Sequence, residues 1–140
     1  MKKTMAKVLY YILNCTWGII MVFIGGAAAL GLLISGHKPE KCGPCLHFII
    51  GENWGGVSLG LVIITDKHPT PAILRHEFGH TLQNAIFGPL FPFLVAIPSA
   101  IRYQIFEYRW RHNQANPPYD GVWFEGTATK YGTKYFDFFS

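Results

Sequence analysis

The chain has 140 residues, half of them hydrophobic and only 14% charged, with a formal net charge of +4. Typical soluble domains carry roughly 25% charged residues, so a fully water-facing surface is not expected, and a bilayer has to be considered as a partner. The Lys and Arg residues are scattered and form no stripe, which argues against a nucleic-acid interface.

The first feature along the chain is Val8 to Ser35, a run of 28 residues without a charge. A spanning helix needs about 20 apolar residues, whereas the apolar part of a signal peptide has about 7–15. Residues 1–36 are therefore predicted to form one uncleaved transmembrane helix, with residues 37–140 as the functional domain. Lys2, Lys3 and Lys7 precede the run, and Lys38 and Lys41 follow it. That small excess favours a single-pass anchor with an extracytoplasmic domain. Gly36 to Pro44 reads as a loop rich in breakers. Leu46–Ile50 and Val57–Thr65 are strand-like runs separated by a Gly-rich turn, and the pair is predicted as a β-hairpin.

Thr70 and Pro71 look like the N-cap and first residue of a helix reaching about Phe87 and ending at Gly88-Pro89. Ala85 to Ile101 is uncharged but interrupted by Pro89, Pro92 and Pro98. It is predicted as broken, half-buried or interfacial helix that does not cross a bilayer fully. Arg102 to His112 reads as a basic amphipathic helix suited to lipid headgroups. Asp120 is predicted to cap a short helix from Gly121 to Tyr131, stopped by Gly132. The fold class is α+β.

The chemistry concentrates in His76-Glu77-Phe78-Gly79-His80, an H-E-x-x-H motif. Histidines at i and i+4 share a helix face, so both can reach one metal ion while Glu77 reaches a water held there. Catalytic zinc usually takes three protein ligands. The longer H-E-x-x-H-x-x-G-x-x-H pattern fails, because Gln83 and Ile86 stand at its glycine and third histidine. Downstream candidates are Glu107, His112, Asp120 and Glu125. Glu125 is preferred: it lies in Trp123-Phe124-Glu125-Gly126-Thr127-Ala128, where a buried carboxylate would need a partner and small neighbours allow close helix approach.

With this ligand set the chain resembles the zincin metallopeptidases in their gluzincin arrangement. The resemblance implies Zn2+ on His76, His80 and Glu125, with Glu77 as general base in the hydrolysis of a peptide or protein substrate. It also implies an oxyanion donor, for which Tyr103, His112 and Tyr119 are candidates, and an edge strand that aligns substrate. Val57, Ser58, Leu59 and Gly60 are the applicants for that strand. Thermolysin-like enzymes often place an aspartate four residues after the ligand glutamate; here that residue is Thr129. The Gly88-Pro89-Leu90 and Ile97-Pro98-Ser99 stretches, with Trp123-Phe124-Glu125, also resemble small bacterial membrane proteins carrying H-E-x-G-H. The similarity spans roughly residues 54–132.

Two other readings use Cys42-Gly43-Pro44-Cys45. The motif matches a thiol-disulfide site if it opens a helix after a strand. Alternatively, Cys42, Cys45, His76 and His80 could form a structural zinc module, although the spacing between the halves is longer than usual.

Overall fold

The computed structural model describes residues 2–140. In chain order it contains α1 (Lys2–Cys15), α2 (Ile19–Ile34), β1 (Glu40–Cys42), β2 (Cys45–Ile49), β3 (Gly56–Leu59), β4 (Val62–Thr65), α3 (Pro71–Phe87), α4 (Ile97–Arg111) and α5 (Trp123–Phe139). Short 3-10 turns at Gly88–Leu90 and Tyr119–Gly121, and a π-helical turn at Pro92–Ala96, complete it.

The α+β class agrees with the sequence, but the transmembrane anchor does not. Among the described residues, no single helix is long and apolar enough to cross a membrane. The uncharged run breaks at Thr16–Gly18, and α1 and α2 bend by 85°. The cause is polar and tertiary. Asn84, fully buried on α3, donates from Nδ2 to Asn14 Oδ1 at 2.8 Å and to the Gly18 carbonyl at 3.1 Å. The Trp17 indole donates to the Ile86 carbonyl. A Cβ at Gly18 would stand 2.5 Å from Asn84 Nδ2, so only glycine lets the bend seat there. Hydropathy registers none of this, because it scores each residue without its partners.

The predicted hairpin is also redrawn. The sheet order is β1-β2-β4-β3. β2 pairs antiparallel with β1 and parallel with β4, while β3 and β4 form their own hairpin. The run Val57–Thr65 is thus two strands, split at Gly60. Gly60 adopts φ +67, and a side chain there would press on the Val22 backbone of α2. β4 lies inside the sheet between β2 and β3 and is buried throughout, which is why Val62–Ile64 is continuously apolar rather than alternating. β3 is left as an edge strand. Asp66 fixes the loop leading into it, accepting from the backbone N–H of Trp54, Gly55 and His68. The Gly55 amide, with its neighbours, holds this carboxyl below its ordinary range.

α3 has the predicted limits. Thr70 Oγ1 accepts from Ile73 N, Pro71 fills the first turn, and Gly88 at φ +55 ends the helix. The chain then turns through the proline-broken stretch, and the segments on either side bend by 119°. α5 departs from expectation at both ends. It begins at Trp123 with no side-chain cap, Asp120 lying in the preceding turn, and it continues through Gly132 to Phe139. Gly132 serves a different purpose. A Cβ there would collide with the Arg75 carbonyl, and one at Gly79 would collide with the Ala128 carbonyl. These glycines let α3 and α5 cross backbone to backbone, which brings residue 125 to the histidines.

Candidate metal centre

One turn of α3 presents His76 and His80, and the first turn of α5 presents Glu125 between them. Glu125 Oε2 lies 3.0 Å from His76 Nε2 and 3.2 Å from His80 Nε2. The three residues form a group able to hold a metal ion. Donor atoms about 2.0–2.2 Å from a tetrahedral zinc stand roughly 3.3 Å apart, so the spacing suits such an ion. Glu125 is 0% exposed. Its Oε1 accepts a short hydrogen bond from Ser99 Oγ, while its buried Oε2 has no hydrogen-bond partner.

The surrounding hydrogen bonds decide which ring nitrogens carry protons. Thr129 Oγ1 donates its single proton to Asp120 Oδ2 at 2.9 Å. It must therefore accept from His76 Nδ1, 2.8 Å away. Gln83 donates from Nε2 to the Phe124 carbonyl and to Thr127 Oγ1, which turns its carbonyl oxygen toward His80 Nδ1 at 2.7 Å. That oxygen only accepts, so His80 Nδ1 also carries a proton. In its neutral form each imidazole then aims its Nε2 lone pair at the Glu125 carboxylate. In that form three electron-pair donors converge with no proton between them, an arrangement suited to a cation.

The two carboxylates make the centre attractive to positive charge, a proton or a metal ion alike. Burial alone would raise the Glu125 carboxyl, but hydrogen bonds from the imidazoles in their protonated form and from Ser99 outweigh it and hold it well below the usual carboxylate range. Burial works against a charged His80, yet Glu125 and Glu77 raise its pKa overall. Glu77 is pushed up, by burial first, against the opposing pull of His80 and His76.

Comparison of the chain with protein-family models, with curated proteins and with solved structures finds no match.

The centre lies on a cleft of about 320 Å³. Met21, Leu59, Phe91 and Val95 line its apolar end. A second hollow of about 340 Å³ adjoins it, lined by Ala72, Ile73, Asp120 and Thr129 among others. The two share Trp54, Gly56, His76, Glu77, Tyr103 and Tyr119, so a groove passes across His76 and Glu77. Glu77 sits against β3: a Cβ at Gly56 would stand 3.3 Å from Glu77 Oε1.

Of the predicted site residues, His76, Glu77, His80, Glu125, Tyr103 and Tyr119 meet at the groove, together with Val57, Ser58 and Leu59 of β3. Gly60 lies beyond them in the β3–β4 turn. His112 does not join them: it is exposed at the end of α4, with Nδ1 against the Tyr108 carbonyl. Asp120 stands behind Thr129, and Glu107 is not in the metal group. Cys42 and Cys45 face each other at the ends of the β1–β2 turn, in the core with Tyr10 and Phe78, and share no metal group with the histidines. They precede a strand rather than a helix, and burial pushes the Cys45 thiol up to about 12, which opposes thiolate chemistry.

Sequence reasoning missed the roles of Ser99, Gly79, Gln83 and the Asp120–Thr129 pair. Gln83 alone left a local signal, since i+3 from His80 places it on the same helix face. Thr129 occupies the position where thermolysin-like enzymes carry an aspartate, with the carboxylate supplied one bond further back by Asp120. Thr129→Val and Gln83→Leu should each weaken metal binding roughly 10–100-fold, read by competition titration, with Thr129→Ser recovering most of the loss.

Proposed function

We propose that this protein is a zinc-dependent peptidase. The reading rests chiefly on one observation: three electron-pair donors converge beside a buried carboxylate in a groove walled by a free strand edge. Three N/O ligands with a remaining place for water suit catalytic zinc, and the arrangement resembles that of the gluzincins. Zinc held there supplies Lewis acidity to a substrate carbonyl and to a water.

The chain's own groups account for the remaining work. Glu77 accepts the proton of the attacking water and delivers it to the leaving amine. Its raised pKa, caused by burial, makes it a stronger base than a solvated glutamate. Tyr119 is the favoured oxyanion donor. Burial, then the nearby Glu125 charge, pushes its phenol up to about 12, so it keeps its proton at neutral pH. Arg102 fixes that segment by donating to the carbonyls of Pro118 and Tyr119. Tyr103 is a second donor on the same wall.

β3 pairs only with β4, so its outer edge is free to align an extended peptide by backbone hydrogen bonds. The apolar end of the groove suits an aliphatic or aromatic side chain next to the scissile bond. The test is digestion of a peptide mixture by zinc-loaded protein, read by mass spectrometry. Cleavage beside apolar residues, stopped by a chelator and restored by zinc, is the expected result. Absence of metal-dependent cleavage across the mixture would overturn the reading.

A further inference from the structure

α2 carries no polar side chain anywhere on its surface. Its inner face, Met21, Gly25 and Ala29 at four-residue spacing, packs on the rest of the fold. Gly25 is pressed against the Leu59 carbonyl, and Ala29 clusters with Phe48, Val62 and Ile64. The outer face of a surface helix in water is polar. Here it presents Phe23 at 77% exposure and Ile34 at 79%. The surface continues beyond the helix. Met21 packs against Phe91 and Val95, and Trp17 against Gly88, so the outward Phe93, 70% exposed, and Leu90 lie beside α2.

Charge identifies the occupant. No charged residue occurs in Val8–Ser35 or Ala85–Ile101, the two segments that build this face. Lys2 and Lys3, both exposed, precede the first segment, while the first acidic residue of the chain is Glu40. A second copy docked through the same two segments would bring no acid to oppose these cations. Anionic lipid headgroups above an acyl layer complement both the exposed lysines at the start of α1 and the apolar face. α2 has 16 residues, about 24 Å, and meets α1 at a sharp bend. The hydrocarbon core is about 30 Å thick, so the helix lies within the bilayer's face rather than through it.

We propose that α2 and the Gly88–Ile101 stretch seat this protein in one leaflet of an anionic bilayer. The inner sides of the same elements, Met21, Phe91 and Val95, line the apolar end of the groove, which therefore stands at the membrane face. This binding does not depend on the metal reading.

The test uses full-length protein in a Cys15→Ser background, with a polarity-sensitive fluorophore on Phe23→Cys, Phe93→Cys or Lys130→Cys. On vesicles of phosphatidylcholine and phosphatidylglycerol, the first two probes should shift to the blue and be quenched by acyl-chain nitroxides, while the Lys130 probe stays open to aqueous iodide. Phe23→Glu with Phe93→Glu should reduce vesicle partition at least about tenfold, with an unchanged circular dichroism spectrum. Three results would each overturn the proposal: iodide quenching of the Phe23 and Phe93 probes on vesicles, their burial in a lipid-free dimer, or undiminished partition of the double glutamate variant.

Discussion

Glu125→Gln protein should retain no stoichiometric metal, while the wild type holds one ion per chain. The substitution preserves shape and leaves an oxygen for Ser99, so the α3–α5 crossing survives. What it removes is the charge facing two imidazole lone pairs. An amide N–H turned to the same place would satisfy those lone pairs without a cation, closing the site. The affinity loss should exceed the roughly 10–100-fold expected for a residue that only positions a ligand. Metal analysis after dialysis, followed by zinc titration calorimetry, measures it. Cys42→Ser with Cys45→Ser should keep the full metal complement, because those thiols lie apart from the metal group. Stoichiometric metal in the Glu125 variant, or its loss in the cysteine variant, would count against the His76/His80/Glu125 centre.

Glu77→Gln should separate binding from chemistry. Glu77 is not among the three converging ligands, so metal stoichiometry should match the wild type. The amide cannot accept a proton, and peptide cleavage should fall by roughly 10²–10⁴ in kcat. Parallel calorimetry and cleavage assays on one preparation read both quantities. Metal retained with cleavage lost is the outcome a general base requires. Cleavage at the wild-type rate would remove Glu77 from the mechanism and leave the general base to another group.

Much of the site is legible because its rules are local. H-E-x-x-H places two imidazoles on one face through helix periodicity alone, and Thr70-Pro71 marks the start of that helix through capping chemistry. Glu125 could be chosen because a carboxylate among Trp, Phe and Ala needs a partner wherever the chain takes it. Its actual approach to His76 and His80 depends on backbone contact at Gly79, Ala128 and Gly132, where a single added methyl would hold the helices apart. The spacing of the motif does not reveal that.

Sheet pairing was less accessible. Two apolar runs with a glycine-rich turn between them suggest a hairpin, yet β2 takes β4 as a parallel neighbour and leaves β3 at the edge. Side-chain alternation states that a strand is buried, not which strand lies next to it.

The sequence by itself singled out His76, His80 and Glu125 as the candidate ligands, and determined the helix that carries two of them and the apolar character of Val8–Ser35 and Ala85–Ile101. Each follows from residue type at short range. Only the tertiary structure decided that the first of those runs is two helices bent about Gly18, and that Thr129, Asp120 and Gln83 fix the protons of the histidines. The physical reason is common to both. A buried amide or hydroxyl must find its partner across the fold, as Asn84 finds Asn14 from 70 residues away, and that search overrides the hydropathy of the intervening chain.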